Sequence, residues 1–390
     1  MSVTVLLIMA VALLAMLISW IVLYPVRYYA RELGLLDRPG GHSSHTVPTP
    51  LGGGIGIYCG IAGTLLFGLF AAWLLQDPQR AESLRESVGG WVPANYWAAA
   101  VLHAPGVWLR STDVFCLLGA STVLLILGLW DDRKGLSVIV RLGVQFAMAA
   151  AVVLGLGIEL TAYLHVGWMT KLLSVIWIVA VINSFNMLDN MDALSGGIAA
   201  IIATSMSVVM MTTFDPETGR PQLLVAGLLL VVAGSLLGFL FHNRPPAKIF
   251  MGDGGSYLVG FLIAVAMLMA TFVGGPSDDG TLRPHAVLAP LCVMVVPLYD
   301  MISVLWIRIR EGRSPFLGDH SHLSHRLVDL GLSRTAAVAT IHLITATCGL
   351  SAILLTHVTL LQAITVLGIV GCMLTLVAIL ESTRGRGSKP

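Results

Sequence analysis

Long apolar runs separated by short polar breaks make up most of the 390-residue chain. A run of about 17 residues, rising 1.5 Å per residue as a helix, approaches the thickness of a roughly 30 Å hydrocarbon core. Because the runs are continuously apolar and do not alternate with polar residues, they predict membrane-spanning helices and not a β-barrel. The eleven predicted spans lie at about residues 3–24, 53–75, 114–130, 138–157, 169–184, 194–213, 221–241, 256–274, 285–306, 335–355 and 359–380.

The composition agrees with a membrane protein. The chain is 56% hydrophobic and 11% charged, whereas a soluble domain carries about 25% charged residues. The net charge of +1 gives no bulk attraction to nucleic acid. We see no internal repeat and no soluble domain, so residues 1–390 are expected to form one integral-membrane domain with a basic cytoplasmic tail at 381–390.

The distribution of Lys and Arg predicts the orientation of the chain. Sixteen of the 22 Lys and Arg residues follow odd-numbered spans or lie in the tail. The positive-inside rule therefore places these breaks and the C-terminus in the cytoplasm and the N-terminus outside. The predicted fold is an all-α polytopic bundle of about eleven spans, N-out and C-in, in the inner (cytoplasmic) membrane.

The breaks that carry candidate chemistry all follow odd-numbered spans. A transporter would place its main polar groups near the middle of the bilayer. Polar groups gathered at one face instead suggest an enzyme that uses a water-soluble cytoplasmic substrate, with an active site built from cytoplasmic loops. The five breaks are residues 34–54, 128–137, 183–197, 241–255 and 300–333.

Asp131 and Asp132 end the third span. Adjacent carboxylates at a membrane surface are unfavourable unless positive charge is near. One interpretation is a solvated helix end with Arg133 and Lys134 as counterions. The other is a catalytic base or a metal-binding pair, placed at the depth of a lipid phosphate.

Four polar residues recur at intervals of three at the end of the fifth span: Asn183, Asn186, Asp189 and Asp192. On a helix or tight turn this spacing keeps the side chains on adjoining faces. Amide and carboxylate oxygens suit Mg²⁺ and can also hydrogen-bond a nucleotide. A structural explanation for four such residues after an apolar span is hard to find.

The fourth break contains Lys248, Phe250 and Asp253 among prolines and glycines. Lys248 could pair with an anion, and Asp253 could bind a cation or cap the next helix. Phe250 could be a platform for a base ring or a core aromatic. We expect the glycines at 252, 254 and 255 to let the backbone approach a ligand.

Histidines occur in the first and last breaks. His45 precedes a proline- and glycine-rich turn at 48–54, which alone is a weak signal. The last break holds His320, His322, His325 and Arg326. Zinc is one interpretation, but no cysteine is close. Phosphate recognition by His and Arg fits better, and a solvated basic loop is the remaining alternative.

Together these motifs resemble the polyprenyl-phosphate N-acetylhexosamine-1-phosphate transferase family, a group of membrane enzymes in glycosyltransferase family 4. The resemblance covers about residues 34 to 335. It is carried by DD at 131–132, NxxNxxDxxD at 183–192, PAKIFMGDxGS at 246–256 and SPFxxDxxHLxHRL at 314–327. The last motif is more similar to the bacterial N-acetylglucosamine-type members than to the peptidoglycan translocase.

The resemblance implies roles for thirteen residues. Asp253 and Asn186 would hold Mg²⁺, or Mn²⁺, and Asp131 and Asp132 would act on the lipid phosphate. Asp189, Asp192 and Phe250 would contact the uridine, His322, His325 and Arg326 would contact the sugar diphosphate, and Lys248 would lie near phosphate. The substrate-binding set is Asn183, Asp189, Asp192, Lys248, Phe250, His322, His325, Arg326 and His45.

Three positions depart from the family pattern. His42 and Ser43 stand where Arg-Lys is common, Ala193 replaces a usual glycine, and Ser324 replaces a common histidine. We interpret these differences as variation within a subgroup. They bear on which sugar and which acceptor are used.

The resemblance implies transfer of a sugar-1-phosphate, GlcNAc-1-phosphate in first place, from a UDP-sugar to undecaprenyl phosphate with release of UMP. This would be the first membrane step of a cell-envelope polysaccharide pathway, and a homodimer is left open. A transporter or flippase of lipid-linked sugars is the alternative, and it predicts charged residues deep within the spans. The span interiors of this chain are almost free of charge, and the main exception, Asp300, lies near a cytoplasmic end of its span. A third interpretation is a phosphatase of undecaprenyl pyrophosphate, but the chain has no recognisable arginine-rich phosphatase signature.

Overall fold

The structure is a computed structural model and describes residues 3–37, 48–160, 166–215, 219–270, 272, 283–315 and 320–382. The described chain is almost entirely helical. Its helices are Val3–Tyr29 (α1), Gly53–Leu75 (α2), Pro78–Val88 (α3), Ala94–Leu109 (α4), Ser111–Lys134 (α5), Val138–Leu156 (α6), Gly167–Leu188 (α7), Leu194–Thr212 (α8), Leu223–Asn243 (α9), Gly252–Met269 (α10), Ala289–Val293 (α11), Val295–Arg310 (α12), Leu323–Asp329 (α13), Arg334–Leu355 (α14) and Leu360–Ser382 (α15). Short 3₁₀ helices lie at Gly89–Trp91 and Pro284–Leu288, and the strands are Leu36–Asp37 (β1) and Thr49–Pro50 (β2).

The number of membrane-spanning helices agrees with the sequence. Among the described residues, ten helices are long and apolar enough to cross a bilayer, or eleven if one bent pair is a single span. The prediction of an all-α polytopic membrane bundle is confirmed. The structure carries no membrane, so the N-out and C-in orientation stays a prediction.

The span predicted at 285–306 is bent and not straight. It is built from Pro284–Val293 and Val295–Arg310, which meet at 62°. Pro297 lies four residues after Val293, and proline has no backbone N–H to bond that carbonyl. The missing hydrogen bond and the proline ring together explain why the helix breaks at this point.

Residues 76–112, between the second and third predicted spans, contain two α-helices in the structure. α3 is polar and has one buried residue, Ala81, whereas α4 is mainly apolar and packs against α1 and α2. Trp91 between them is 91% exposed, which is consistent with the aromatic belt expected at a membrane interface.

α10 is the central helix of the bundle and packs against α2, α5 and α7. Glycine pairs allow this close approach. A Cβ on Gly128 would overlap the backbone of Gly254, and one on Gly54 would overlap that of Gly255. The sequence interpretation that the glycines at 254 and 255 approach a ligand is therefore wrong, because helix packing occupies the space beside them.

The first and fourth polar breaks are joined by backbone hydrogen bonds. β1 and β2 form an antiparallel pair, and the Phe250 amide donates to the Pro50 carbonyl at 2.8 Å. The Gly53 amide in turn donates to the Phe250 carbonyl at 2.9 Å. The weak proline- and glycine-rich signal at 48–54 thus has a structural function, since it fixes the loop that precedes α10.

Candidate active site

One pocket of about 590 Å³ brings together residues from all five polar breaks. We call the end of the bundle that contains it the motif end. Of the thirteen residues singled out in the sequence, nine line the pocket: Asp132, Asn183, Asn186, Asp189, Asp192, Phe250, Asp253, His322 and His325. Asp131, Lys248 and Arg326 do not, and His45 lies outside the described residues.

Asp132 holds the start of α10. Its carboxylate accepts hydrogen bonds from the Asp253 amide at 2.9 Å and the Gly254 amide at 3.5 Å. The first amides of a helix have no partner within the helix and carry the positive end of its dipole, which favours a carboxylate there. Asp132 is therefore fixed by backbone atoms while it still faces the pocket.

Asp131 is directed away from the pocket and is more fully bonded. It accepts from the Leu136 amide at 2.6 Å, from Arg141 at 3.0 Å and from the Tyr257 hydroxyl at 3.0 Å. Its carboxyl also adjoins that of Asp253. The two adjacent carboxylates of the sequence thus have different surroundings, and a direct action of Asp131 on the lipid phosphate stays a prediction.

Asp253 lies between the Asp131–Asp132 pair and the Asn and Asp series that follows α7. Its Oδ1 accepts a hydrogen bond from the Asn186 amide nitrogen at 2.6 Å, and the same nitrogen lies 3.2 Å from the Ser256 hydroxyl. We call Asp131, Asp132 and Asp253 the carboxylate network. Its members come from the ends of α5 and α10, which are held together by the Gly128–Gly254 contact.

The pocket has the donor chemistry for a hard cation. Among the ion pairs of the described residues, none neutralises Asp132, Asp189 or Asp253, and Arg141 is committed to Asp131. Oxygen donors without cationic partners suit Mg²⁺. A preassembled site is not present in the described part of the chain, where no three His, Cys, Asp or Glu side chains are close enough to hold a metal. The Asn186 amide would also have to rotate to present its oxygen.

The Asn and Asp series after α7 divides into structural and pocket-facing members. Asn183 donates to the Gln145 side chain at 2.7 Å, and Asp192 accepts from the Ala247 amide at 2.9 Å. Burial raises the pKa of the Asp189 carboxyl to about 7, and the nearby charge of Asp132 adds to the effect. Asp192 therefore positions the fourth break. A bound cation would stabilise the ionised form of Asp189, and a hydrogen-bond acceptor would stabilise its protonated form.

The turn before α8 is strained and is bonded by a residue that sequence reasoning missed. Ala193 has φ +61°, in the left-handed region that favours glycine, which explains why glycine is usual there. Its amide donates to Asn243 Oδ1 at 2.8 Å, and the Asn243 side chain donates to the Ile249 carbonyl at 2.8 Å. Asn243 thereby connects the third and fourth breaks.

His322 is oriented by a carboxylate buried beneath it. Asp300 is fully buried and accepts from His322 Nδ1 at 2.9 Å and from the Leu323 amide at 2.6 Å. With Nδ1 donating, the other ring nitrogen, Nε2, is left for a pocket ligand. The sequence indicated Asp300 only as a charge near a span end, because its partner lies 22 residues further along the chain.

His325 also lines the pocket, on the helix that carries Arg326. Burial lowers the pKa of His325 to about 4, and the nearby His320 and His322 contribute. The side chain is therefore neutral at pH 7. It can donate or accept a hydrogen bond but does not supply positive charge to a phosphate.

Arg326 and Lys248 do not line the active-site pocket, where their predicted ligands would bind. Arg326 is buried, donates to the Ser303 hydroxyl at 2.8 Å and lies 3.3 Å from Glu381 of α15. Lys248 is exposed in a separate cavity. The predicted contacts of Arg326 and Lys248 with the sugar diphosphate or a phosphate stay predictions. In this structure Arg326 connects α13 to two spans.

Several pocket residues carried no distinct signal in the sequence. Arg141 and Arg308 were counted only as charges that indicate orientation, and Asn190 lies between the spaced positions of its series. Asn190 accepts a hydrogen bond from Ser324 at 2.6 Å, so the Ser324 departure from the family pattern links the third and fifth breaks. The pocket residues not singled out also include Asp37, Leu51, Val138, Leu142, Met187, Met191, Met301, Leu305 and Pro315.

Comparison with known proteins identifies the family. Residues 114–271 match the model of glycosyl transferase family 4. The decaprenyl-phosphate N-acetylglucosaminephosphotransferase of Mycobacterium tuberculosis is 31% identical over 85% of this chain and 78% of its own length. The probable undecaprenyl-phosphate N-acetylglucosaminyl 1-phosphate transferase of Bacillus subtilis is 28% identical over 90% of this chain and 86% of its own length.

A third relative belongs to the same group. The undecaprenyl-phosphate alpha-N-acetylglucosaminyl 1-phosphate transferase of Escherichia coli is 27% identical over 84% of this chain and 78% of its own length. These matches confirm the resemblance inferred from the motifs and decide between the enzyme and the transporter alternatives. The chain belongs to the polyprenyl-phosphate N-acetylhexosamine-1-phosphate transferases of glycosyl transferase family 4 and is a multi-pass membrane enzyme of that kind.

Proposed function

We propose that the protein transfers GlcNAc-1-phosphate from UDP-GlcNAc to undecaprenyl phosphate and releases UMP. The observation that supports this most strongly is the convergence of all five polar breaks on one pocket at one end of an apolar bundle. Such a pocket can receive a water-soluble nucleotide sugar and a membrane-embedded lipid phosphate together. The relatives are named for transfers to undecaprenyl or decaprenyl phosphate, which supports the acceptor class.

In the proposed reaction an oxygen of the lipid phosphate attacks the β-phosphorus of the UDP-sugar. The bond from that phosphorus to the oxygen bridging the two phosphates breaks, and UMP leaves with the bridging oxygen. Catalysis of such a step depends mainly on positioning and on compensation of negative charge. This chain supplies His322 and the neutral His325 as hydrogen-bonding groups, and carboxylates that suit a cation.

The residues have distinct roles in this proposal. Asp132 lies on the pocket side of the carboxylate network, where it can orient the lipid phosphate, and Asp253 with Asn186 would hold Mg²⁺. A bound Mg²⁺ would supply charge neutralisation for the diphosphate and the leaving UMP. Phe250, half-buried in the pocket wall, and Asp189 would contact the uridine. His322 and His325 would hydrogen-bond the sugar diphosphate.

The orientation follows from the proposal as well. We place the motif end in the cytoplasm, at the inner membrane, because UDP-sugars are cytoplasmic and because Lys and Arg concentrate at these breaks. Reporter fusions after Asn243 and after Arg310 should both indicate a cytoplasmic location. Fusions that place these two positions on opposite sides of the membrane would contradict the orientation and the shared pocket.

The test of the proposed function is product analysis with purified protein. A panel of UDP-sugars is supplied with undecaprenyl phosphate and Mg²⁺, and the lipid product is identified by mass. We expect the mass of a lipid diphosphate sugar with GlcNAc as the preferred sugar, together with UMP. Excess EDTA should abolish turnover and added Mg²⁺ or Mn²⁺ should restore it. Full activity in EDTA would contradict the cation part of the proposal.

A further inference from the structure

A second cavity, of about 690 Å³, lies at the motif end and shares no lining residue with the active-site pocket. The backbone hydrogen bond between Phe250 and Pro50 runs between the two. Phe250 lines the pocket, whereas Pro50 lines the second cavity. We call this cavity the cationic groove. It is lined by Tyr24, Arg27, Tyr28, Pro48, Thr49, Pro50, Ala247 and Lys248.

Arg27 is held in the groove by a partner that does not neutralise it. Its guanidinium donates to Nδ1 of the buried His242 at 3.0 Å, and His242 Nε2 donates to the Trp20 carbonyl at 3.0 Å. A histidine that accepts at one nitrogen and donates at the other is neutral. Arg27 therefore has a fixed orientation and keeps its full positive charge.

Lys248 supplies a second positive charge to the same groove. In the part of the chain that the structure describes, neither Lys248 nor Arg27 forms an ion pair with a carboxylate. The Nε of Arg27 is buried without a hydrogen-bond partner. Two cations that line one cavity repel each other unless an anion lies between them, so the groove has the chemistry of an anion site.

The position of the groove indicates where the anion comes from. α1 is among the apolar helices long enough to cross a membrane, and the groove lies beside its C-terminal end. Tyr24 and Tyr28 are exposed there, and tyrosines at the end of a span are typical of the lipid head-group region. An acyl chain could lie along α1 while its phosphate reaches Arg27 and Lys248.

We propose that the cationic groove binds the phosphate group of an anionic membrane lipid. Arg27 and Lys248 make charge-assisted hydrogen bonds to the phosphate, and the two tyrosines line its approach from the bilayer. Ala247 and Lys248 belong to the same loop as Phe250, so a lipid bound in the groove restrains one wall of the active-site pocket. The binding claim does not depend on the transfer reaction.

The test is lipid binding to the purified full-length protein in detergent, measured by native mass spectrometry. Phosphatidylglycerol, phosphatidylcholine and polyprenyl phosphate are titrated separately, and inorganic phosphate is added as a competitor. We expect wild-type protein to retain a phosphate-bearing anionic lipid in preference to phosphatidylcholine. The double variant Arg27→Gln, Lys248→Gln should bind that lipid about tenfold more weakly, because two charge-assisted bonds are lost.

Three further variants keep the result interpretable. Lys248→Gln alone changes an exposed side chain, so its fold is not at risk, and it should weaken binding about threefold. Lys248→Arg should retain binding, since the charge is preserved. Arg310→Gln removes an exposed cation at the end of α12, outside the groove, and should leave binding unchanged.

Weaker binding of phosphatidylglycerol or of polyprenyl phosphate by the double variant and by Lys248→Gln, but not by Arg310→Gln, would support the proposal and identify the lipid. Equal lipid binding by wild type, by the double variant and by Lys248→Gln would overturn it. Equal preference for phosphatidylcholine, or binding of inorganic phosphate with no lipid retained, would overturn it too.

Discussion

The two sides of the active-site pocket are held in different ways. The carboxylate network is fixed by main-chain atoms and helix packing, since Asp132 bonds the first amides of α10 and Gly128 contacts Gly254. The histidine segment, residues 320–329, is fixed by side chains from distant parts of the chain. Asp300 bonds His322, Glu381 lies beside Arg326, and Asn190 bonds Ser324.

This difference has a consequence for substitutions. A side that depends on helix packing cannot change without moving whole helices, so its geometry is expected to be rigid. A side that depends on a few side-chain bonds can lose one bond and stay folded. Substitutions around the carboxylate network should therefore affect activity and stability together, unless they replace a pocket-facing group with an isostere. Substitutions around the histidine segment should mainly affect activity.

The largest effect is expected for Asp253→Asn. The change removes a charge from the carboxylate network without removing volume, so turnover should fall by about a thousandfold, with near-normal expression and melting temperature. The assay is UMP release, and thermal melting in detergent is the control. Activity within about tenfold of wild type would show that this carboxylate is not part of the chemistry.

Gly128→Ala tests whether helix packing positions the carboxylate network. The new methyl group would overlap the Gly254 backbone, and overpacking of this kind destabilises by about 1–3 kcal/mol. The melting temperature and the rate should fall together, because α10 carries Asp253. Gly119→Ala is the matched control on the same helix, where nothing lies within 4 Å of the new Cβ. If both variants melt like wild type, the packing argument fails.

Asp300→Asn tests the histidine segment. An asparagine cannot accept both the His322 and the Leu323 hydrogen bonds with the same geometry, so the imidazole loses its fixed orientation. We expect kcat to fall about tenfold to a hundredfold, with a smaller change in KM for the UDP-sugar. The activity lost should exceed that lost by His322→Gln if Asp300 has a separate function, and should match it if Asp300 acts through His322. Only the second outcome agrees with the structure.

Much of this architecture could be predicted from the sequence. The apolar runs located the spans, and the positions of the polar breaks after odd-numbered spans correctly indicated that they would meet. Contacts between residues distant in the chain could not be predicted. Asp300 and Asn243 occur in no motif, and nothing local shows that Arg326 would face Glu381 or that Lys248 would face Arg27. Those assignments depend on how the helices pack.

His325→Gln should change the pH dependence of stability. The pKa of His325 is lowered to about 4 in the fold, against roughly 6.5 in an unfolded chain. The unfolded chain therefore binds the extra proton first, and the stability contributed by the neutral side chain is complete above pH 6.5 and is lost as the pH falls towards 4. The variant should lose less melting temperature than wild type between pH 7 and pH 5. An identical or larger loss in the variant would contradict this pKa.

The smallest effect is expected for Ala193→Gly. Ala193 has a positive φ, and relief of the left-handed strain should stabilise the protein by up to about 1 kcal/mol. Activity should be unchanged, because the turn is already bonded to Asn243. Thermal melting in detergent checks the change, and a lower melting temperature would show that the turn is not strained.

The central claim is that the pocket transfers a phosphorylated sugar and not the sugar alone. The most direct measurement follows the β-phosphate of UDP-GlcNAc, labelled with ³²P, in a reaction with undecaprenyl phosphate and wild-type or Asp253→Asn protein. We expect the label in the lipid and unlabelled UMP in solution for wild type, and neither for the variant. Label recovered as UDP would mean that only the sugar moves, and would contradict the account.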